Sequence, residues 1–407
     1  MPLAFRRLTP VIVALGLTGC GGGGHATPDG AGGAGGLGSI DGGGGSDGGR
    51  EDRACGRPGQ TYTFLTEQVK ILDDDIGYLG AVLRRDDSPV FIYQGGPVGQ
   101  VQVWAVAPPD RDDAGVSVSI ALQISRPSAY VSSVVPWLRR TTTGDIRVAY
   151  FDQLQQVRYV EWNGDLQGTP TDTMIAPSSA STSAAFDLDS QDHAGLVHFP
   201  SATSVAFVSN TTGSWQTSSV SSNADPALKL AMTYGAGADP VVFAVGNWMA
   251  MGADRVNLVT RASSGWTGAP LDPQDSYGVN VAFAGRDASG QVQLFYDGLS
   301  GPRRVVGNPG SWDLHASLPT GRAGSPAAVA FGSGSEVHLL YERGGASGVD
   351  YAYFDGCRWT GQTVDADGVG RMAVAVDAAG APHIVYEKSR TPSTAKGIEI
   401  WYAHPSP

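Results

Sequence analysis

Short strips of alternating apolar and polar residues run through the chain from about residue 60 to its end. In RMAVAVDAAGAPHIVYEK (371–388), two such strips flank a tight turn of small and acidic residues. Alternation at period two is typical of β-strands, and the Gly, Pro, Asp and Ser residues between the strips indicate many turns. The pattern therefore predicts an all-β domain.

The strips recur as a four-stranded repeat. Each copy opens with an apolar strand, turns tightly into a second strand that ends near an aromatic residue, and adds a third strand, a Gly-x-Trp or similar turn, and a fourth strand. The second strands are marked by Tyr93, Tyr150, Ser201, Ala244, Tyr296, Tyr341 and Tyr386. Four fourth strands begin at Trp215, Trp266, Trp312 and Trp359. Four strands in about 40–50 residues are typical of a β-propeller blade. We predict a seven-bladed β-propeller with antiparallel blades, with six or eight blades as alternatives, and expect these tryptophans to pack between blades.

The two ends of the repeat region are complementary. The last repeat stops after its third strand, IEIWYAH, whereas GQTYTFLTEQV precedes the first complete repeat. The pattern C-x-x-x-G-Q-T begins at Cys55 and again at Cys357, where it opens the fourth strand of the sixth blade. We therefore expect the N-terminal strand to be the fourth strand of the seventh blade, which closes the ring.

These repeats resemble those of bacterial lipoprotein propellers, in which an apolar strand precedes Asp-x-x-Gly-x-x-His, an aromatic residue and Gly-x-Trp. The segment AVDAAGAPHIVYEK (375–388) carries this pattern best. Such repeats are similar to those of sialidase-like (BNR-like) propellers, and the resemblance implies a fold rather than an activity. The sialidase Asp box, Ser-x-Asp-x-Gly-x-x-Trp, is absent, since SNTTGSW and RASSGW contain only its glycine and tryptophan.

A different apolar run stands at the N-terminus, in MPLAFRRLTPVIVALGLTGC. Its basic start and its short apolar core have the layout of an export signal, and the run is too short to span a bilayer. It ends in Leu-Thr-Gly-Cys, which resembles the lipobox of bacterial lipoproteins, where the chain is cut before a cysteine that becomes acylated. The resemblance implies a lipid on Cys20. An ordinary signal peptide followed by a chance cysteine is the alternative.

This interpretation divides the chain into a signal peptide (1–19), a lipidated Cys20 with a Gly-rich tether (20–54) and the propeller (55–407). The tether has few apolar side chains to bury, so it is expected to stay a flexible coil. Residue 21 is Gly rather than Asp, which by the same resemblance favours the outer membrane. We expect a cell-envelope protein that is held at the membrane by its lipid.

The composition limits the partners. The chain carries 27 Lys and Arg against 39 Asp and Glu, a formal net charge of −12. An acidic protein is repelled by phosphate backbones, which argues against nucleic acid as a partner. We expect a monomer that needs no cofactor.

Two cysteines lie within the predicted propeller, Cys55 and Cys357. An exported protein meets an oxidising compartment, so we predict a disulfide between them. Equivalent positions on adjacent blades are farther apart than the 7 Å or so that a disulfide allows, so Cys55 would have to bend away from its repeat position. Two unpaired thiols are the alternative.

The best candidates for ligand binding are arginines near the turn between first and second strands. Leu-Arg-Arg occurs at 83–85 and again at 138–140, and Arg286 stands near the same turn in the fifth blade. Arginine binds carboxylates and phosphates in a two-pronged geometry, so Arg85, Arg140 and Arg286 could hold an anionic ligand such as an acidic sugar. Solvated charges beside neighbouring aspartates are the alternative.

Weaker candidates lie elsewhere. Asp187, Asp189 and Asp192 have a spacing that calcium could use, although carboxylates that cap a tight turn explain them as well. Trp248 could stack on a sugar or fold onto its own blade. His198, His338 and His383 are interpreted as one recurring position, where strand histidines bonded to a neighbouring turn are the simplest explanation.

The sequence as a whole favours a tethered propeller that acts as a binding or scaffold module, with a glycan or a surface protein as its ligand. The alternative is a glycan-active enzyme, a hydrolase or a lyase. No Ser-His-Asp order, P-loop or HExxH motif occurs, and no rule selects a catalytic pair among the many acids.

Overall fold

The computed structural model describes residues 60–406 except for the following gaps: 73–76, 97–100, 109, 112–116, 119–120, 126–136, 178–182, 225–228, 236–238, 247–254, 272–281, 299–300, 315, 317, 319–325, 343–347 and 390–396. The predicted signal peptide, the lipidated Cys20 and the tether over 20–54 lie outside the described residues. So do Cys55 and Trp248. The described part of the chain contains no helix long and apolar enough to cross a membrane.

The protein is a seven-bladed β-propeller, and each blade is a sheet of four antiparallel strands. We number the strands of each blade outward from the centre of the ring. Blade 1 contains Tyr78–Leu83, Pro89–Gly95, Gln102–Val106 and Ala121–Gln123. Blade 2 contains Trp137–Arg140, Ile146–Phe151, Gln156–Trp162 and Thr171–Pro177. Blade 3 contains Ala184–Leu188, Ala194–Ser201, Ser204–Ser209 and Gln216–Ser221. Blade 4 contains Lys229–Tyr234, Pro240–Gly246, Arg255–Ala262 and Gly265–Pro270. Blade 5 contains Ala282–Arg286, Val292–Gly298, Gly301–Asn308 and Ser311–Asp313. Blade 6 contains Pro326–Phe331, Val337–Glu342, Val349–Phe354 and Trp359–Asp365. Blade 7 contains Gly368–Val376, Pro382–Ser389, Ile398–Pro405 and the N-terminal Phe64–Leu72. A two-residue ladder, Asp110–Arg111 with Ser117–Val118, interrupts the path to the fourth strand of blade 1.

The second strands are buried on both faces, as the period-two pattern predicted. All seven residues of Pro89–Gly95 are buried. Ile92 packs in a cluster with Tyr150 of blade 2, whereas Phe91 lies 5.1 Å from the ring of Tyr402 in blade 7. Successive side chains of one strand therefore contact opposite neighbours, which is how a blade buries both its faces.

Three of the marker tryptophans pack against an aromatic residue of the preceding blade, as predicted. Trp215 lies 5.0 Å from Tyr159, Trp266 lies 5.3 Å from Phe207, and Trp312 lies 5.8 Å from Phe243. In blade 6 the indole of Trp359 instead meets the guanidinium of Arg304 from blade 5, at 5.4 Å. The repeated tryptophan therefore stabilises the blade interfaces.

The ring is closed by the N-terminal strand. The first strand of each blade contacts the first strands of both neighbours, and that of blade 7 contacts that of blade 1. Phe64–Leu72 pairs antiparallel with Ile398–Pro405, which confirms the predicted closure. Just before this strand, the backbone N–H of Tyr62 donates to Gln362 Oε1 at 2.9 Å, and Gln362 Nε2 donates to the carbonyl of Tyr62 at 2.6 Å. The N-terminal segment is thus bonded to blade 6 as well as to blade 7.

Candidate functional site

The turns between first and second strands, here called the first turns, share one geometry in all seven blades. In each turn a backbone N–H donates to the carbonyl four residues later, as Arg84 does to Ser88 at 2.9 Å and Asp377 to Ala381 at 3.1 Å. The first strands run in the same direction around the ring, so these turns lie on one face of the propeller. We call it the first-turn face.

Aspartate at the start of the turn explains the Asp-x-x-Gly pattern. In blade 5, Asp287 Oδ1 accepts from the N–H groups of Ser289 and Gln291, each at 3.0 Å. Asp377 accepts from the N–H of Ala381 at 2.8 Å in the same way. Gly290 and Gly380 adopt φ +83°, which glycine reaches without strain. The motif is therefore a turn-forming device.

Neighbouring first turns are bonded to one another. Arg85 Nε donates to the carbonyl of Thr143 at 2.7 Å, and the N–H of Thr142 donates to Asp192 at 2.8 Å. On the far side of the ring, the N–H of Ala288 donates to the carbonyl of Gly334 at 3.0 Å. These bonds join the first turns of blades 1, 2 and 3 into one connected surface and those of blades 5 and 6 into another.

The three predicted arginines have different environments. Arg85 has a side chain that is 75% exposed, and its only charged neighbour within ion-pair range among the described residues is Asp145 at 4.0 Å. Arg140 is 32% exposed and pairs with Asp87 at 2.8 Å, and its Nη2 donates to the carbonyl of Arg85 at 3.4 Å. The structure therefore brings Arg85 and Arg140 together at the junction of blades 1 and 2.

Arg286 does not join them. It belongs to blade 5, and its Nη1 donates to the carbonyl of Gly235 in blade 4 at 2.6 Å. This bond gives Arg286 a role in joining two blades. Among the contacts of the described residues, Arg286 is bonded to blade 4 and not to Arg85 or Arg140.

The three candidate calcium ligands each have their own structural partners. Asp187 accepts from Arg139 at 2.5 Å and from Thr233 at 2.7 Å, and these bonds connect the first strands of blades 2, 3 and 4. Asp189 caps the first turn of blade 3, and Asp192 accepts from Thr142 of blade 2. The described residues contain no group of three or more His, Cys, Asp or Glu able to hold a metal ion.

The three histidines do not share one repeat position, so that interpretation is wrong. Strand pairing places His338 opposite Ala330 and His383 opposite Ala375, each one residue inside the first turn. His198 pairs with Ala184, three residues further along its strand, and so takes the place of the marker tyrosines, which the sequence pattern wrongly gave to Ser201. The first turn of blade 3 is as long as those of blades 6 and 7, and Gly195 holds the position of His338 and His383, so the alignment placed the next histidine of the strand there.

His338 and His383 form two copies of one arrangement. In blade 6, His338 Nδ1 lies 2.7 Å from the hydroxyl of Tyr351, and in blade 7 His383 Nδ1 lies 2.6 Å from the hydroxyl of Tyr402. The blade 6 pair is sealed, with His338 0% exposed. The blade 7 pair is more open, with the His383 side chain 14% exposed and Asp377 Oδ2 3.4 Å from its Nε2.

Burial sets the charge of both rings. Burial lowers the pKa of His338 to about 3, while Asp377 acts weakly in the other direction. Burial also lowers the pKa of His383, against Asp377 and Asp87, which favour its protonated form. Asp87 belongs to the first turn of blade 1, so it lies between His383 of blade 7 and Arg140 of blade 2. Sequence reasoning missed Asp87 and Asp377 as members of this cluster, because only ring closure places blade 7 beside blade 1.

No family model and no curated protein sequence matches the chain. Solved structures match it in fold. An ulvan lyase, a polysaccharide lyase bound to -[GlcA(1-4)Rha3S]-, matches at TM-score 0.51 and 11% identity over 82% of this chain and 95% of that one. The Aleuria aurantia lectin in complex with Fucα1-6GlcNAc matches at TM-score 0.48 and 12% identity over 73% of this chain and 98% of that one. AofleA from Arthrobotrys oligospora matches at TM-score 0.46 and 12% identity, over 63% and 79%. Similarity at these identities shows the propeller fold alone.

Proposed function

We propose that this chain is a lipid-anchored protein of the cell envelope, with the outer membrane as its site, whose propeller binds an anionic glycan on the first-turn face. The observation that carries the proposal is the exposed guanidinium of Arg85. Its Nε is fixed by the carbonyl of Thr143, whereas its nearest acid lies 4.0 Å away. A guanidinium that is held in place but not neutralised is suited to a carboxylate or sulfate group.

The rigidity of the face supports binding. The turns that carry Arg85, Thr143 and Asp192 are hydrogen-bonded across blade boundaries, so little ordering is needed when a ligand arrives. Solved propellers of similar fold include a polysaccharide lyase that is described as bound to a glycan. This agrees with a glycan ligand, and a surface protein is the other class of ligand to test. A glycan-degrading activity gains no specific support from the contacts above.

The path of the N-terminus supports a tethered protein. The chain reaches the propeller beside the third turn of blade 7, where the N–H of Ser406 donates to the carbonyl of Thr63 at 2.7 Å. Third turns lie on the same face as first turns because alternate strands are antiparallel. The described chain therefore begins on the first-turn face. The Cys55–Cys357 disulfide stays a prediction, and the bonds between Tyr62 and Gln362 bring the chain toward blade 6, as the disulfide requires.

A glycan array tests the proposal, with the mature protein in detergent and with uronic, sialic and sulfated sugars included. We expect selective binding to anionic glycans, and Arg85→Ala should weaken it about tenfold, as expected for a lost charge-assisted bond. Arg261→Ala is the matched control, since Arg261 is an exposed arginine at the end of the third strand of blade 4. Equal losses in both variants, or no glycan binding by the wild type, would overturn the proposed ligand. In cells fractionated without detergent, Cys20→Ser should move the protein from the membrane to the soluble fraction.

A further inference from the structure

Asp87 covers the second predicted arginine of the first-turn face. Its carboxylate lies 2.8 Å from Arg140 Nη1, and both side chains are about one-third exposed, at 33% and 32%. The backbone of Asp87 is left-handed, with φ 60°, which fixes the carboxylate at the tip of the blade 1 turn. While this pair persists, Arg140 has little charge to offer a ligand. Arg85 next to it is open.

On its other side, Asp87 faces blade 7. The ring of His383 contacts Tyr402 of the third strand at 2.6 Å and Asp377 of its own first turn at 3.4 Å, and Asp87 of blade 1 and His404 act on it through their charges. Tyr402 stacks against His404 at 5.0 Å, so the second imidazole belongs to the same cluster. Asp87 is therefore the acid of blade 1 that acts on both His383 and Arg140.

The charge of His383 changes with pH while that of Arg140 does not. Burial keeps the ring of His383 neutral near pH 7 because it lowers the pKa of the imidazole. Acidification places a positive charge on His383, and Asp87 then has two cationic partners instead of one. The attraction between Asp87 and Arg140 is no longer exclusive, and the whole junction of blades 7, 1 and 2 becomes more positive.

We propose that Asp87 is a pH-dependent mask on Arg140, so that acidification frees the guanidinium of Arg140 for the acidic group of a ligand and strengthens the binding of anionic glycans. This inference rests on the proposed function, since it takes Arg85 and Arg140 as the anion-binding pair. It adds His383 as the group that senses pH and Asp87 as the group that positions Arg140.

Calorimetry with a galacturonic acid oligosaccharide of one defined length tests this inference, at about pH 7.5 and about pH 5, where imidazoles change charge. The wild type should bind about threefold to fivefold more tightly at the lower pH, the range expected for one partly exposed ion pair. Asp87→Asn should bind at the acid affinity at both values, since asparagine tolerates the left-handed backbone. His383→Gln should keep the neutral-pH affinity at both. Asp86→Asn is the matched control, because Asp86 lies in the same turn with its side chain 71% exposed, and it should keep the wild-type pH profile.

Two results would overturn the inference. One is wild-type binding that does not change with pH, and the other is an Asp87→Asn variant that binds no more tightly than the wild type at pH 7.5. Absence of binding at either pH would instead contradict the proposed function itself. A readout without ligand is the titration of the His383 ring by NMR. Asp87→Asn should lower the pKa of His383, and an unchanged pKa would also overturn the inference.

Discussion

The two His–Tyr pairs of blades 6 and 7 occupy the same place in the repeat, and their surroundings differ. His338 bonds Tyr351 and is wholly buried, whereas His383 bonds Tyr402 beside two aspartates at a partly open junction. In blade 6, Tyr62 packs edge-on against Tyr351 and Tyr353, at 6.0 and 6.2 Å. In blade 7 the position of Tyr353 is taken by His404.

The difference shows how one repeat position can serve packing in one blade and respond to charge in the next. The intrinsic chemistry of the imidazole is the same in both. What differs is the neighbour, which is the N-terminal segment in one case and the acidic first turn of blade 1 in the other. Three experiments can break or sharpen this contrast.

The largest effect is expected from Tyr62→Ala. The substitution removes the aromatic contacts to Tyr351 and Tyr353 and the hydrogen bond from the Tyr62 hydroxyl to the carbonyl of Gly380. We expect a loss of about 3 kcal/mol in the free energy of unfolding, at the low end of the range for truncated core aromatics because Tyr62 is only partly buried. Urea unfolding measures it. Tyr62→Phe keeps the ring and should cost about 1 kcal/mol. A loss below about 1 kcal/mol in Tyr62→Ala would mean that the packing of Tyr62 on blade 6 does not stabilise the protein.

The next effect comes from truncating each histidine in turn. His338→Ala should lower the free energy of unfolding by about 2–3 kcal/mol, because it leaves a cavity in a dry interface and removes the hydrogen bond between the imidazole and the Tyr351 hydroxyl. His383→Ala should cost about 1 kcal/mol, since its site is partly open and water can replace the ring. Thermal and urea unfolding of the two variants provide the comparison, and equal losses would contradict the contrast.

The third effect is the pH dependence of stability that belongs to His338. The pKa of this ring is about 3 in the folded protein and 6.5 in the unfolded chain, so the unfolded chain binds more protons between those values. Stability is therefore full above pH 6.5 and falls as the pH drops toward 3. At pH 5 the loss from this one group should be about 2 kcal/mol.

Urea unfolding between pH 7.5 and 5 measures this loss. In His338→Gln the decrease in the free energy of unfolding over that range should be smaller by about 2 kcal/mol. His383→Gln should reduce the decrease by less, because Asp377 and Asp87 offset the burial of that ring. If His338→Gln keeps the wild-type slope, the ring is not held neutral in the folded protein.

Much of the fold could be predicted from the sequence. The period-two strips of Pro89–Gly95 and Pro382–Ser389, the in-phase tyrosines and the four tryptophans predicted seven blades with buried faces. The complementary ends of the repeat region predicted which strand closes the ring, but the repeated Gly-Gln-Thr does not mark equivalent positions, since residues 361–363 lie within Trp359–Asp365 whereas residues 60–61 precede Phe64–Leu72. These predictions succeeded because strand alternation and repeat phase are local properties of the chain.

The candidate site was predicted only in part. Leu-Arg-Arg at 83–85 and 138–140 pointed to Arg85 and Arg140, which the structure brings together, but it also suggested Arg286, which bonds blade 4. The alignment of His198 with His338 and His383 was wrong because blade 3 has Gly195 at the equivalent position. In the sequence, the histidine three residues later looks like the repeated one. Hydrogen-bond pairing removes that ambiguity, and sequence spacing does not.

The sequence by itself determined the strand pattern, the number of blades and the closing strand, since each depends on residues close together in the chain or on a repeat of them. Only the tertiary structure decided which arginine is exposed, which is masked by Asp87, and which histidine is sealed. Those properties depend on contacts between blades, and the most informative of them join blade 7 to blade 1 across most of the length of the chain. Burial and charge at such a junction come from neighbours that no local pattern records.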